Sequence, residues 1–156
     1  MPKTKPLWAV ITDGDHARIV VLDLPSGSFR TLYTEESINA HKQAADLGRD
    51  EPPRVFDRFG TGRHAIEPKT DPHEKSEQKF LRAVAEQVNE IAAQDQLGKL
   101  VLVAPPKAMP ILRDSLARHA AAKLAGTLVK DLVKTPNEEL PRHLEEWLPP
   151  AIRQRL

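Results

Sequence analysis

The side chains with chemistry to offer are Asp13 and Asp15, the six histidines, Ser115, and a basic and aromatic stretch between residues 54 and 69. Two acids one residue apart could help to clamp metal ions for phosphodiester hydrolysis. They also flank Gly14, and Asp-Gly-Asp is a hairpin turn whose residues tolerate positive φ. No two histidines stand four residues apart, and there is no H-E-x-x-H, so the histidines spell no metal cluster. G-x-S-x-G is absent, and Ser115 sits inside a helical pattern. The absence of cysteine excludes a thiol nucleophile, a disulfide framework and a Cys-based zinc site. Gly60-Thr61-Gly62 lacks the strand-then-helix context and following lysine of a phosphate loop. These patterns point to no catalytic residue, no metal ligand and no cofactor.

Arg54, Arg58, Arg63, His64 and Lys69 interleave with Phe56 and Phe59. Such a mixture suits single-stranded nucleic acid, with rings stacking on bases and cations facing phosphate. The same bases could instead pair with Asp50, Glu51, Asp57, Glu67 and Asp71, with the rings pinning the segment to the core. Both readings stand at this level.

Charge narrows the choice of partner. Lys and Arg number 23 and Asp and Glu 22, a near balance that argues against a duplex-DNA binder. The apolar run Leu7 to Ile11 is too short for a signal-peptide core, and nothing later could span a bilayer. The expectation is one cytoplasmic domain over residues 1–156, with no membrane contact.

The elements that must position these residues are marked by proline. There are 14 prolines, yet none falls in 7–24, 73–104 or 111–135, so regular structure can run there. Lys99-Leu100-Val101-Leu102-Val103-Ala104 ends at Pro105-Pro106 and reads as a strand covered on both faces, as does Leu7 to Ile11. After the Asp13-Gly14-Asp15 turn, His16 to Leu24 alternates, with Ala17, Ile19 and Val21 on one face. A third strand places Phe29, Thr31 and Tyr33 on one face. Residues 38–72 form a long loop, functional or disordered. Asp71-Pro72 with Glu74 signals the cap of a helix carrying Phe80, Leu81, Val84, Val88, Ile91 and Ala92, stopped by Gly98. Ala108 to Leu124 reads as a second helix stopped by Gly126, Thr127 to Val133 as a strand, and a last helix follows Thr135-Pro136.

The order β-β-β-α-β-α-β-α is that of an α/β ribonuclease H-like fold: three layers, α/β/α, with a mixed five-stranded sheet in the order 3-2-1-4-5. Strands one and four then lie side by side and parallel, and a ligand crevice opens beyond their carboxyl ends. Asp13, Pro105 and Pro106 should share that concave surface, with Arg63 and His64 at its border. The helix opening at Pro72 is expected to begin at the opposite end of strand four. No acid follows strand four, which disfavours a metal-dependent nuclease.

Trp8, Val10, Asp13 and Ala17-Arg18-Ile19, then Gly62-Arg63-His64-Ala65, Glu67-Pro68, Thr70-Asp71-Pro72 and Phe80, resemble a known pattern. So do Leu100 to Pro106, Leu112-Arg113 and Lys130-Asp131-Leu132. Together they are similar to the family described as proteins required for attachment to host cells, bacterial proteins related to the middle domain of class-1 peptide release factors. Met109-Pro110-Ile111 and Pro53 depart from it. The resemblance implies a ribonuclease H-like domain without a nuclease site and adds Arg18 to the candidate binding residues. It further implies a non-enzymatic role in binding an unidentified macromolecule, with the ribosome or a structured RNA as the alternative partner.

Overall fold

In the computed structural model, residues 5–24, 26–38, 40–42 and 72–156 are described. The strands are β1 (Leu7–Thr12), β2 (His16–Asp23), β3 (Ser28–Glu36), β4 (Lys99–Ala104) and β5 (Leu124–Val129). They form one sheet in the order β3-β2-β1-β4-β5. β1 pairs antiparallel with β2 and parallel with β4, and β4 pairs parallel with β5. The expected strand order is therefore the observed one. Every residue of β1 is buried, and so is all of β4 after Lys99, as continuous apolar runs require.

Period-two alternation divides the core between the two faces of the sheet. Trp8, Val10, Ala17, Ile19, Val21, Leu100 and Leu102 pack against a helical layer on one side. That layer comprises α1 (Pro72–Ala93), α2 (Ala108–Asp114) and α3 (Arg118–Ala121). Leu7, Ala9, Ile11, Val20, Leu22, Val101 and Val103 face the other side, where the C-terminal turns carry Leu140, Leu144, Leu148 and Ile152. The result is three layers. Leu81 is almost wholly buried on α1, and truncating such a side chain to alanine costs about 2–5 kcal/mol.

Several expectations are corrected. Phe29 and Tyr33 do not share a face. The β2–β3 register runs Ile19↔Tyr33 and then Val20↔Thr31, which leaves Leu32 as the extra residue of a bulge. A slip of one residue reverses the faces, so Phe29 joins one core while Tyr33 packs on the other. Nor does Gly98 stop α1. The helix ends at Ala93, and Asp95 takes the left-handed φ of +59°. Gly98 instead permits a crossing, because a Cβ there would stand 2.5 Å from the Lys5 carbonyl oxygen.

The single helix expected from Ala108 to Leu124 breaks after Asp114. Asn89 on α1 holds the break, its Oδ1 accepting from the Ala117 N–H at 2.7 Å and its Nδ2 donating to the Ser115 carbonyl at 3.3 Å. The last strand begins at Leu124 rather than Thr127, with Gly126 inside it under the Trp147 ring. The last helix is likewise a staircase of short turns. These are two 3₁₀ turns, Asn137–Glu139 and Glu145–Trp147, with α4 (Leu140–His143) and α5 (Pro150–Arg153). Pro149 and Pro150 prevent continuation. Arg153 donates to the carbonyls of Glu145, Glu146 and Leu148, occupying oxygens that a longer helix would have bonded itself.

Of the 38–72 loop, residues 39 and 43–71 lie outside the described residues, the expected cap Asp71 among them. The described start is a helical turn after Ser37, whose Oγ accepts the Ala40 N–H at 3.0 Å.

Candidate functional site

Beyond the carboxyl ends of β1 and β4 lies a cleft of about 340 Å³. The chain diverges there. β1 turns back into β2 on one side, and β4 leads through Pro105 into α2 on the other, which makes this the topological switch point of the sheet. Register places Ile11 beside Val103, so Asp13 and Pro105 emerge together, and both line the cleft.

The Asp13-Gly14-Asp15 turn is tightly built. Asp13 Oδ1 accepts from the backbone N–H groups of Asp15 and His16 at 2.9 and 2.8 Å, and Gly14 adopts φ +101°. Beneath it the fully buried Thr12 hydroxyl donates to the His16 carbonyl at 2.8 Å. Asp13 Oδ2 lies 3.4 Å from His16 Nδ1. The carboxylate thus braces the turn through Oδ1, and Asp13 lines the cleft. Across the cleft, the Pro105 carbonyl accepts from the Ala108 and Met109 N–H groups and opens α2.

The third wall comes from α1. Glu74, Glu77, Gln78 and Leu81 line the cleft, and Lys107 reaches Glu74 at 3.4 Å. The expectation that α1 begins at the far end of β4 is therefore reversed. A helix that runs into its strand through a short connection, and lies antiparallel to it, must start beside that strand's carboxyl end. Glu77 packs closely on the hairpin, since a Cβ on Gly14 would stand 2.7 Å from its Oε2.

The other candidates are distributed differently. Pro106 is exposed and does not line the cleft. Arg18 projects on the opposite face of the sheet and donates through Nη2 to the Leu132 and Thr135 carbonyls, fastening the C-terminal layer. Burial lowers its pKa, and its buried Nε has no hydrogen-bond partner. Arg63 and His64 lie outside the described residues.

Spacing alone misses the most ligand-like group. Asp15, His73 and Glu77 bring one potential ligand atom each to within 4.8 Å of one another. The signal was present as His73 and Glu77, four residues apart on one helix. A histidine–histidine search passes over it, and no sequence rule joins it to Asp15.

A mixed five-stranded sheet between two covering layers, with its cleft at the switch point, defines an α/β domain built to present a crevice. The chain belongs to the family described as protein required for attachment to host cells, whose model matches residues 8–144. No curated protein matches its sequence. Among solved structures it is similar to an archaeal translation termination factor, aRF1, with a TM-score of 0.58 and 13% identity. That likeness covers 98% of this chain and 38% of the factor. A structure titled "Archaeal protein" gives a TM-score of 0.53 and 16% identity, over 96% of this chain and 36% of the other. The chain thus spans little more than a third of either structure's length, and the likeness is one of fold. The expected relationship to release factors holds at that level. Among the described residues, no helix is long and apolar enough to cross a membrane.

Proposed function

We propose that this chain is a non-enzymatic binding domain of the host-attachment family, acting in the cytoplasm on a macromolecular partner. The ribonuclease H-like class is the finer reading of its topology. The observation that carries the proposal is the end-to-end similarity of this chain to part of a translation termination factor. A domain that recurs as one segment of a larger factor is suited to docking rather than to independent turnover.

The ribosome or a structured RNA is the partner this similarity favours. The cleft carries Asp13, Glu74 and Glu77 against Lys107, so it repels phosphate and suits a basic protein segment. RNA phosphate would find exposed cations at Arg113 and Arg118 instead. Near-neutral net charge is compatible with one small basic surface.

Co-sedimentation with ribosomes, paired with filter binding of ribosomal RNA across a salt series, tests this reading. Association that weakens as salt rises supports it. No association at low salt, or affinity indifferent to salt, removes the ribosome and RNA as partners. Reproducible metal-dependent nucleic-acid turnover abolished by Asp13→Asn would overturn the non-enzymatic assignment.

A further inference from the structure

We propose that Asp15, His73 and Glu77 form a site for a first-row divalent cation, which fastens the β1–β2 hairpin to the first turns of α1. The three ligand atoms lie within 4.8 Å of one another, and His73 Nε2 stands 3.9 Å from Glu77 Oε1. A tetrahedral zinc ion with bonds of about 2.0–2.2 Å separates its ligands by roughly 3.4 Å. Binding would draw His73 Nε2 and Glu77 Oε1 about 0.5 Å closer than the 3.9 Å they show here. One imidazole with two carboxylates suits zinc or manganese better than the all-oxygen preference of magnesium.

Among the described residues, carboxylates outnumber lysines and arginines here. Asp13, Asp15, Glu74 and Glu77 converge here, and among the described residues Lys107, on Glu74, is the one lysine or arginine ion-paired with any of them. Glu77 is half-buried, its side chain 28% exposed, and it is pressed against the hairpin at Gly14 with the Asp15 carboxylate close by. Like charges at this range oppose each other, and a divalent ion between them reverses the sign of the interaction.

The site is also prepared in advance. His73 and Glu77 are neighbours one helical turn apart. Asp15 is oriented by Ser37, whose hydroxyl donates to Oδ1 at 2.8 Å and whose N–H donates to the Asp15 carbonyl at 2.7 Å. That leaves Oδ2 for a metal, in the manner of outer-shell partners that aim ligating carboxylates. Because Glu77 and Gly14 both line the cleft, the ion would fix the wall of the crevice. The proposal is independent of which macromolecule binds.

The test is calorimetric titration of the chelator-treated protein with zinc chloride and manganese chloride, with cobalt absorption and thermal unfolding alongside. The expected result is saturable binding of one ion per chain and a melting temperature that rises with metal concentration. His73→Gln, with thermal unfolding of the metal-free variant checking its fold, should weaken binding by about tenfold or more. Glu77→Gln and Asp15→Asn should do the same, and Glu74→Gln should bind as the parent does. Absence of saturable binding overturns the proposal. So does affinity that survives His73→Gln, or that is lost in Glu74→Gln alone.

Discussion

Gly126 in β5 lies directly beneath Trp147, where an added Cβ would stand 2.6 Å from the indole Nε1 and Cζ2 atoms. A rigid ring offers no flexible end to move aside. Gly126→Ala should therefore destabilise the protein by about 1–3 kcal/mol through overpacking. Urea denaturation measures this, and Gly126→Ala with Trp147→Leu should recover part of the loss. A single variant as stable as the parent would show that the C-terminal turns are not held against β5 in this way.

Asn89 is the second joint. It satisfies the backbone on both sides of the α2–α3 break. Asn89→Ala orphans a part-buried N–H and a carbonyl, at a cost of about 1–3 kcal/mol. Asn89→Asp keeps the acceptor for Ala117 and should lose less. Equal losses in the two variants would mean that the Ala117 bond contributes nothing, and chemical denaturation distinguishes the cases.

These two contacts explain where the sequence stopped being legible. Strand order could be read because β1 and β4 are apolar on both faces, a signal that survives without knowledge of partners. The Asp13–Pro105 juxtaposition followed from that order. The helices after β4 could not be read, because a four-residue apolar spacing persists through short turns as well as through one helix. Leu140, Leu144, Leu148 and Ile152 keep it across two breaks. What ends the helix before Ser115 is a side chain on another element. The β3 bulge and the Asp15–His73–Glu77 group likewise depend on tertiary neighbours, and Arg18 looks like a binding cation until its carbonyl partners are seen.

Arg18 supplies the third prediction. It fastens the C-terminal layer to the face of the sheet opposite the cleft. Arg18→Ala should cost about 1.5–3 kcal/mol, the range of hydrogen bonds to charged groups. Arg18→Lys should recover little, since one ammonium cannot reproduce the geometry of the guanidinium. Partner affinity, measured well below the unfolding transition, should be unchanged in both. Lost affinity in a fully folded Arg18→Lys protein would return Arg18 to the binding surface.

Tyr33 is the only tyrosine in the chain, so phenolate absorbance reports on one group. Its hydroxyl donates to Glu35 Oε2 at 2.7 Å. Burial, the hydrogen bond to Glu35 and the charges of Glu35 and Glu90 push its pKa up to about 12. An unfolded tyrosine ionises near pH 10, so the folded state holds this proton more tightly. The stability that results is fully present below about pH 10 and is lost as pH rises through about 12. Alkaline titration of the native protein should therefore show a midpoint well above that of the urea-unfolded chain. Glu35→Gln should lower the native midpoint by removing both the charge and the anionic acceptor. Tyr33→Phe should show a shallower loss of stability across the same pH window. A native midpoint equal to the unfolded one would mean that Tyr33 is solvated and that the bulge at Leu32 does not turn it onto the helical layer.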